Sequence, residues 1–224
     1  SDVCSSDLGA TGDGFGAAIA MGDGLALIGA PGAGARAGTV WTFRLDGSDW
    51  RETGTLAAAD LAENDAFGSA IALSGDRAVV GVPGSGDGAG AAYVFRLSGG
   101  SWLQEAKLSS AESFAFDQLG SSLALLSDRV YVGAEGRDVT GADTAGAVYV
   151  FDLAGTMWSE TGRLVAANPE AGDGYGVSVA ASASRPWQAA SASCTGDRAR
   201  STSICSRSEE HTSELQSHVR ISYA

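Results

Sequence analysis

The sequence predicts an all-β fold, an incomplete β-propeller of four-stranded antiparallel blades, with about three and a half blades present. Two observations carry this. A set of landmarks recurs at a nearly fixed period, and each recurrence divides into four short strand-like runs joined by glycine-containing turns.

The period is marked by an Asp-x-apolar-Gly unit. Its copies are Asp13, Phe15 and Gly16; Asp65, Phe67 and Gly68; Asp117, Leu119 and Gly120; and Asp173, Tyr175 and Gly176. The glycines are spaced by 52, 52 and 56 residues. Downstream, Ile28-Gly29-Ala30-Pro31, Val80-Gly81-Val82-Pro83 and Val132-Gly133-Ala134-Glu135 hold equivalent places. Trp41-Thr42-Phe43, Tyr93-Val94-Phe95 and Tyr149-Val150-Phe151 follow, then Trp50, Trp102 and Trp158, then Leu56, Leu108 and Leu164.

The second unit shows the four runs best: Gly68 to Leu73, Arg77 to Pro83, Ala91 to Leu97 and Ser101 to Leu108. Small and β-branched residues dominate the first two, as strands buried on both faces require. Tyr93 and Phe95 alternate with Val94, which gives the third run two packed faces. Gly75-Asp76 and Gly99-Gly100 supply the residues that tight two-residue hairpins favour. A meander of four strands, repeated, is a propeller blade.

These units divide the chain into blades at 9–62, 63–114 and 115–170, with the start of a fourth at 171–182. The flanks read differently. Codons able to encode Arg207 to Glu214 have a reverse complement that encodes Ser1 to Leu8, so one DNA element accounts for both ends. Residues 1–8 and 207–224 are therefore expected to be translated sequencing-adapter DNA, and fold reasoning sets them aside. Between 183 and 206 the periodicity stops. A frame shifted by one base lets Ser182 to Gln188 read Gly-Glu-Pro-Ala-Val-Ala and Arg198 to Cys205 read Gly-Ala-Val-Tyr-Val-Tyr-Leu, which match the second and third runs of earlier units. That stretch is expected to be the remainder of the fourth blade behind a one-base deletion near Ser182.

The 224 residues include 32 glycines and carry a formal charge of -13. Between Gly9 and Ser182, 21 acidic residues face 9 basic ones, so the acidity belongs to the repeats. It opposes binding to a phosphate backbone or an anionic membrane, so no nucleic-acid partner is expected. No apolar run reaches membrane-spanning length, and no membrane insertion is expected within the segment. All three cysteines, Cys4, Cys194 and Cys205, and both histidines, His211 and His218, lie in the flanks. The repeats thus offer no thiol or imidazole for acyl transfer or zinc binding, and no catalytic or metal-ligating residue is assigned.

Phe15-Gly16 with Ile28-Gly29-Ala30-Pro31, and Phe67-Gly68 with Val80-Gly81-Val82-Pro83, resemble FG-GAP repeats, the blades of integrin α-chain propellers and of many bacterial surface proteins. The third unit departs from the pattern with Leu119 for Phe and Glu135 for Pro. Kelch repeats share the period, but their Gly-Gly after the second strand is missing here. The resemblance implies a secreted or cell-surface, non-catalytic interaction module with an adhesion-like role and a protein or glycan ligand. The alternative it implies is the propeller portion of an extracellular hydrolase whose catalytic domain lies outside this segment.

The resemblance also raises calcium, which many such repeats hold between the first two strands. Here those turns are only Met21-Gly22-Asp23-Gly24, Ser74-Gly75-Asp76-Arg77 and Ser127-Asp128-Arg129, and one carboxylate per turn cannot cage a six- to eight-coordinate ion, so no cofactor is expected. The aspartates before the recurring glycines are read as hydrogen-bonding local backbone amides ahead of each first strand. The recurring tryptophans are read as packing between blades. The loops between the second and third strands vary most: Gly32 to Gly38, Gly84 to Gly90 and the longer Gly136 to Gly146. Binding concentrates on such loops. The third holds the ligand-site candidates Glu135, Arg137, Asp138, Asp143 and Thr144.

Overall fold

A computed structural model describes residues 10–139, 141–182, 190–192 and 202–204. The adapter-like ends and most of the stretch read in a shifted frame lie outside the described residues. Blade 1 comprises β1 (Ile19–Gly22), β2 (Leu25–Ala30), β3 (Thr39–Asp46) and β4 (Asp49–Leu56). Blade 2 comprises β5 (Ile71–Ser74), β6 (Arg77–Val82), β7 (Ala91–Ser98) and β8 (Ser101–Leu108). Blade 3 comprises β9 (Leu119–Leu126), β10 (Arg129–Ala134), β11 (Ala147–Ala154) and β12 (Met157–Leu164). Each is an antiparallel meander in sequence order. A smaller three-stranded sheet follows, from β13 (Val179–Ala180), β14 (Ala190–Ala192) and β15 (Thr202–Ile204). The chain is an all-β array of propeller blades.

Burial follows from stacking. β6 and β10 are buried at every residue after their opening arginine, because neighbouring sheets cover both faces. The outermost strands β4 and β12 are mostly exposed, and β8 is exposed at half of its residues. Each carries a bulge at the same place: pairing skips Thr53, Glu105 and Thr161, the residues opposite the step from Thr42 to Phe43, Val94 to Phe95 and Val150 to Phe151. In blade 2 the first strand starts at Ile71 rather than at Gly68. The Ser69 amide and hydroxyl both turn back onto the Ala66 carbonyl and hold the chain in a turn until then.

The hydrophobic clusters straddle blades. Leu27, Val40 and Leu56 of blade 1 pack with Phe67, Val80, Tyr93 and Phe95 of blade 2. Val79, Val94 and Leu108 of blade 2 pack with Leu119, Val132 and Tyr149 of blade 3. Tyr175 and Val179 continue the pattern against Tyr131 and Val148. The recurring apolar residue before each glycine is thus a wedge between one blade and the next. Phe67, Leu119 and Tyr175 are fully buried, whereas Phe15 is 39% exposed because no described blade precedes it. Complete burial of such a side chain is worth about 1.5–3 kcal/mol. Two of the three recurring tryptophans join the same seams: half-buried Trp102 packs on the first cluster and Trp158 on the second.

Glycine sets how close the blades come. A methyl group on Gly29 would overlap the Gly68 carbonyl oxygen, one on Gly81 the Gly120 carbonyl, and one on Gly133 the Gly176 carbonyl. The carbonyl-bearing glycines have φ of 92°, 98° and 95°, a region that side chains disfavour. Gly16 has the same backbone, with open space on the side where a preceding blade's glycine would lie.

Gly81→Ala should therefore force the seam apart and cost roughly 3–5 kcal/mol. Gly99→Ala, at an open turn with φ of 58°, should cost only about 1–2 kcal/mol. Urea denaturation of both variants checks the difference, and equal costs would contradict the seam. The free face of blade 1 exposes Ile19 (58%) and Met21 (60%), whose counterparts Ile71 and Leu73 in blade 2 are half-buried against the preceding blade. The purified chain is accordingly expected to bind anilinonaphthalene sulfonate and to self-associate. Ile19→Lys with Met21→Lys should reduce both while leaving the circular dichroism spectrum in place.

Candidate binding face at the loop end

The meander gives the array two unlike ends. Tight hairpins, β1 to β2 and β3 to β4 and their counterparts, close one end. The other gathers the loops between second and third strands and the linkers between blades.

At the loop end the recurring aspartates each close a short turn. Asp13, Asp65, Asp117 and Asp173 accept, through Oδ2, the backbone amides of Ala10, Ala62, Phe114 and Glu170 at 2.8, 2.8, 2.9 and 2.9 Å. In every copy the donor lies three residues upstream, so the side chain fixes the lead-in to the blade.

The loops between second and third strands then grip the next blade. Ala33–Arg36 and Ser85–Gly88 form single helical turns whose inner residues are left-handed, with φ of 57° and 58° at Gly34 and Ala35 and of 61° and 58° at Gly86 and Asp87. This turns successive carbonyls outward. Those of Ala35, Arg36 and Ala37 accept the amides of Asn64, Ala66 and Phe67. Those of Gly88 and Ala89 accept Gln118 and Leu119, and those of Asp143, Thr144 and Ala145 accept Gly172, Gly174 and Tyr175.

The third loop, predicted from its polar residues to be a ligand site, is largely engaged in this architecture. Arg137 donates to Asp117 Oδ2 at 3.0 Å, with both side chains almost buried, and its guanidinium lies 5.0 Å from the centre of the Phe114 ring. Asp138 accepts the Thr144 amide at 2.7 Å. Asp143 and Thr144 supply the clasp carbonyls just described. Val139 and Ala142 exchange backbone hydrogen bonds and, with Ala145, form a small core of the loop's own. The side chains of Asp143 and Thr144 are exposed and Glu135 is half-buried. The structure thus joins Asp138 and Thr144 by a local bond and sends Arg137 to Asp117, while Glu135 shares no hydrogen bond with them among the described residues.

Two features escape the sequence reading. The first is a carboxylate-cation-tyrosine group at the linkers. Asp60 accepts from Tyr93 Oη at 2.8 Å and pairs with Lys107 Nζ at 2.7 Å, and the ammonium lies 5.1 Å from the Tyr93 ring centre. One repeat later Glu112 pairs with Arg163, the cross-strand neighbour of Tyr149. The signal was recurrence one repeat apart, of a carboxylate at Asp60 and Glu112 and of a cation just before Leu108 and Leu164. The second is Phe114 and Phe116, exposed at 64% and 74%. Their signal was the contrast with Ala62 and Asn64 at the same places one repeat earlier.

At the hairpin end, ion pairs lace successive strands and blades. Arg129 forks onto Asp152 at 2.6 and 2.8 Å. Arg77 binds Glu105 of its own blade at 3.1 Å and Asp128 of the next at 3.3 Å, and Trp158 donates to the same Glu105 at 3.4 Å. Among the described residues no group of three or more carboxylate, imidazole or thiol side chains is placed to hold a metal ion, and no helix is long and apolar enough to cross a membrane.

Repeated wedges, glycine seams and strand order define this chain as a β-propeller repeat protein. The particular repeat is shown by a family model: the FG-GAP repeat matches residues 50–95 and 102–151. The chain carries FG-GAP repeats over these residues, and the second match includes the unit with Leu119 and Glu135. Each matched segment runs from the outer strand of one blade through the third strand of the next, so the unit of sequence bridges two units of structure. No curated protein matches the chain.

Two carboxyl groups should shape its acid stability. The Lys107 ammonium, with the Tyr93 hydroxyl, holds Asp60 below the usual carboxylate range. The Arg129 guanidinium, with Thr161, does the same for Asp152. The folded state therefore releases these protons more readily than the unfolded chain, whose carboxyls titrate near about 3.9. Their stabilisation is complete above roughly pH 5 and is lost as pH falls through the depressed folded values. Asp60→Asn and Asp152→Asn should each flatten the decline of the urea midpoint between about pH 5 and 3. An unchanged slope in both variants would contradict the assignment.

Proposed function

We propose that the chain is a non-catalytic interaction module of a secreted or cell-surface protein that binds a protein or glycan ligand on the loop end of its blades. The observation that carries the reading is the division of labour along each blade. Seams and hairpins repeat from unit to unit, whereas the loop end changes, with a longer third loop and different residues in each linker. A rigid scaffold presenting varied loops is the usual form of a binding surface. The loops are held by backbone clasps, so their exposed side chains meet a ligand with little further ordering, which favours affinity. Similarity to FG-GAP repeats supports the extracellular reading.

The test is a glycan and matrix-protein array probed with the full chain and two variants. One changes the loop end, with 137–145 replaced by the shorter 85–89 sequence of the preceding blade. The other changes the hairpin end, with Arg96→Ala and Asp76→Ala. Binding that survives the hairpin variant and drops at least about tenfold in the loop variant is expected. Binding lost only in the hairpin variant, or no binding to any array member, would overturn the proposal.

A further inference from the structure

Arg77 and Arg96 stand directly opposite one another on β6 and β7. Like charges so placed repel, and the two guanidinium groups turn to different carboxylates. Arg96 pairs with Asp76 of its own blade at 3.0 Å. Arg77 pairs with Glu105 at 3.1 Å and continues across the seam to Asp128, in the first hairpin of blade 3, at 3.3 Å. Trp158 of β12 reaches back across the same seam and donates to Glu105 at 3.4 Å. Arg77 and Glu105 are largely buried, so the network lies within the seam, with Asp128 as its exposed end.

At the same positions the neighbouring blades keep their bonds to themselves. In blade 3 the opposed pair is Arg129 and Asp152, which close on each other, and the bulge residue Thr161 bonds the same Asp152. Because Asp152 stands where blade 2 has Arg96, no side chain of blade 3 pairs with Asp128 among the described residues, and its carboxylate is left for Arg77. In blade 1 the opposed pair is Leu25 and Arg44, and the bulge residue Thr53 bonds Thr42. Leu25 has no charge to offer Asp76, which Arg96 already holds. At the hairpin end, therefore, no ion pair or side-chain hydrogen bond joins blades 1 and 2 among the described residues. The two seams otherwise share the glycine contact, an apolar cluster and the backbone clasps of the loop end.

We propose that Arg77, Glu105, Asp128 and Trp158 form an ionic latch between blades 2 and 3, and that the unlatched seam between blades 1 and 2 is where the array opens first, parting at the hairpin end about the loop-end clasps. Features common to both seams cannot separate them, so the latch sets the order of opening. A pair with one partner in water is weakened by salt, and Asp128 is that partner. Ionic strength therefore acts on the seam between blades 2 and 3, while the hairpin end of the other seam holds no charge pair for salt to weaken.

The experiment reads opening at each seam by thiol labelling of the full chain, in a background of Cys4→Ser, Cys194→Ser and Cys205→Ser. Ala78→Cys and Val130→Cys each place one thiol at the second residue of β6 or β10, where the native side chains are fully buried in the first and the second seam. In dilute buffer the thiol of Ala78→Cys is expected to react with an aromatic disulfide at least about tenfold faster than that of Val130→Cys. Added sodium chloride should speed the second reaction and not the first. Arg77→Leu with Glu105→Thr gives blade 2 the residues that blade 1 has at these places, so the fold should persist, as circular dichroism would verify. That pair should bring labelling of Val130→Cys up to the rate of Ala78→Cys, and Asp128→Asn, at the exposed end of the latch, should raise it in part. Equal rates at the two thiols in dilute buffer would overturn the order of opening. A Val130→Cys rate unmoved by salt and by both sets of latch substitutions would overturn the latch itself.

Discussion

The close contact of backbone with backbone at the blade seams is the constraint on which everything else depends. Where Gly29 meets the Gly68 carbonyl, and Gly81 the Gly120 carbonyl, neither partner tolerates a β-carbon. That approach lets Phe67 and Leu119 fill the gap completely and draws Trp102 and Trp158 of the outer strands onto the same clusters. It also brings the loops of one blade within hydrogen-bonding reach of the next, and so permits the carbonyl clasps. Apolar burial supplies the attraction between blades, and glycine determines the distance at which it operates.

The scaffold was legible in the sequence because its constraints recur. Asp65, Phe67, Gly68 and Gly81 each have counterparts at a fixed interval, and repetition separates a steric requirement from accident. The outer-strand bulges were not legible, since Thr53, Glu105 and Thr161 share no chemistry. Each skips its pairing partner through backbone geometry and finds its own bond: Thr53 with Thr42, Glu105 with Arg77, Thr161 with Asp152. The bonding within the third loop was hidden for a related reason. Arg137, Asp138, Asp143 and Thr144 look like free polar groups when only their types are known, yet two are tied by side-chain bonds and two give their carbonyls to the following blade. The exposed phenylalanines went unread because a single aromatic residue in a linker resembles any buried wedge until its surroundings are known.

The loop end therefore serves two roles with different atoms. Its main chain joins the blades, through carbonyls presented by left-handed residues such as Ala35, Arg36 and Thr144. Its side chains are left free to differ, which is why Gly12, Asn64 and Phe116 can occupy one backbone position without altering the array. Separation of this kind lets the surface change while the architecture stays constant, with backbone strain as the limit on which residues are admitted.

The recurring bulge in β4, β8 and β12 bears on what the outer rim can do in company. An uninterrupted edge strand offers a regular row of amides and carbonyls that another chain can extend, the first step toward fibres. Here the row is broken midway along each outer strand, where the skipped residue turns its polar side chain back into its own blade. A foreign strand would find the register displaced after a few residues. At high local concentration, copies of this chain can meet through their apolar seam faces or their loops, while lateral growth of the sheets is resisted at the periphery of each of the three complete blades.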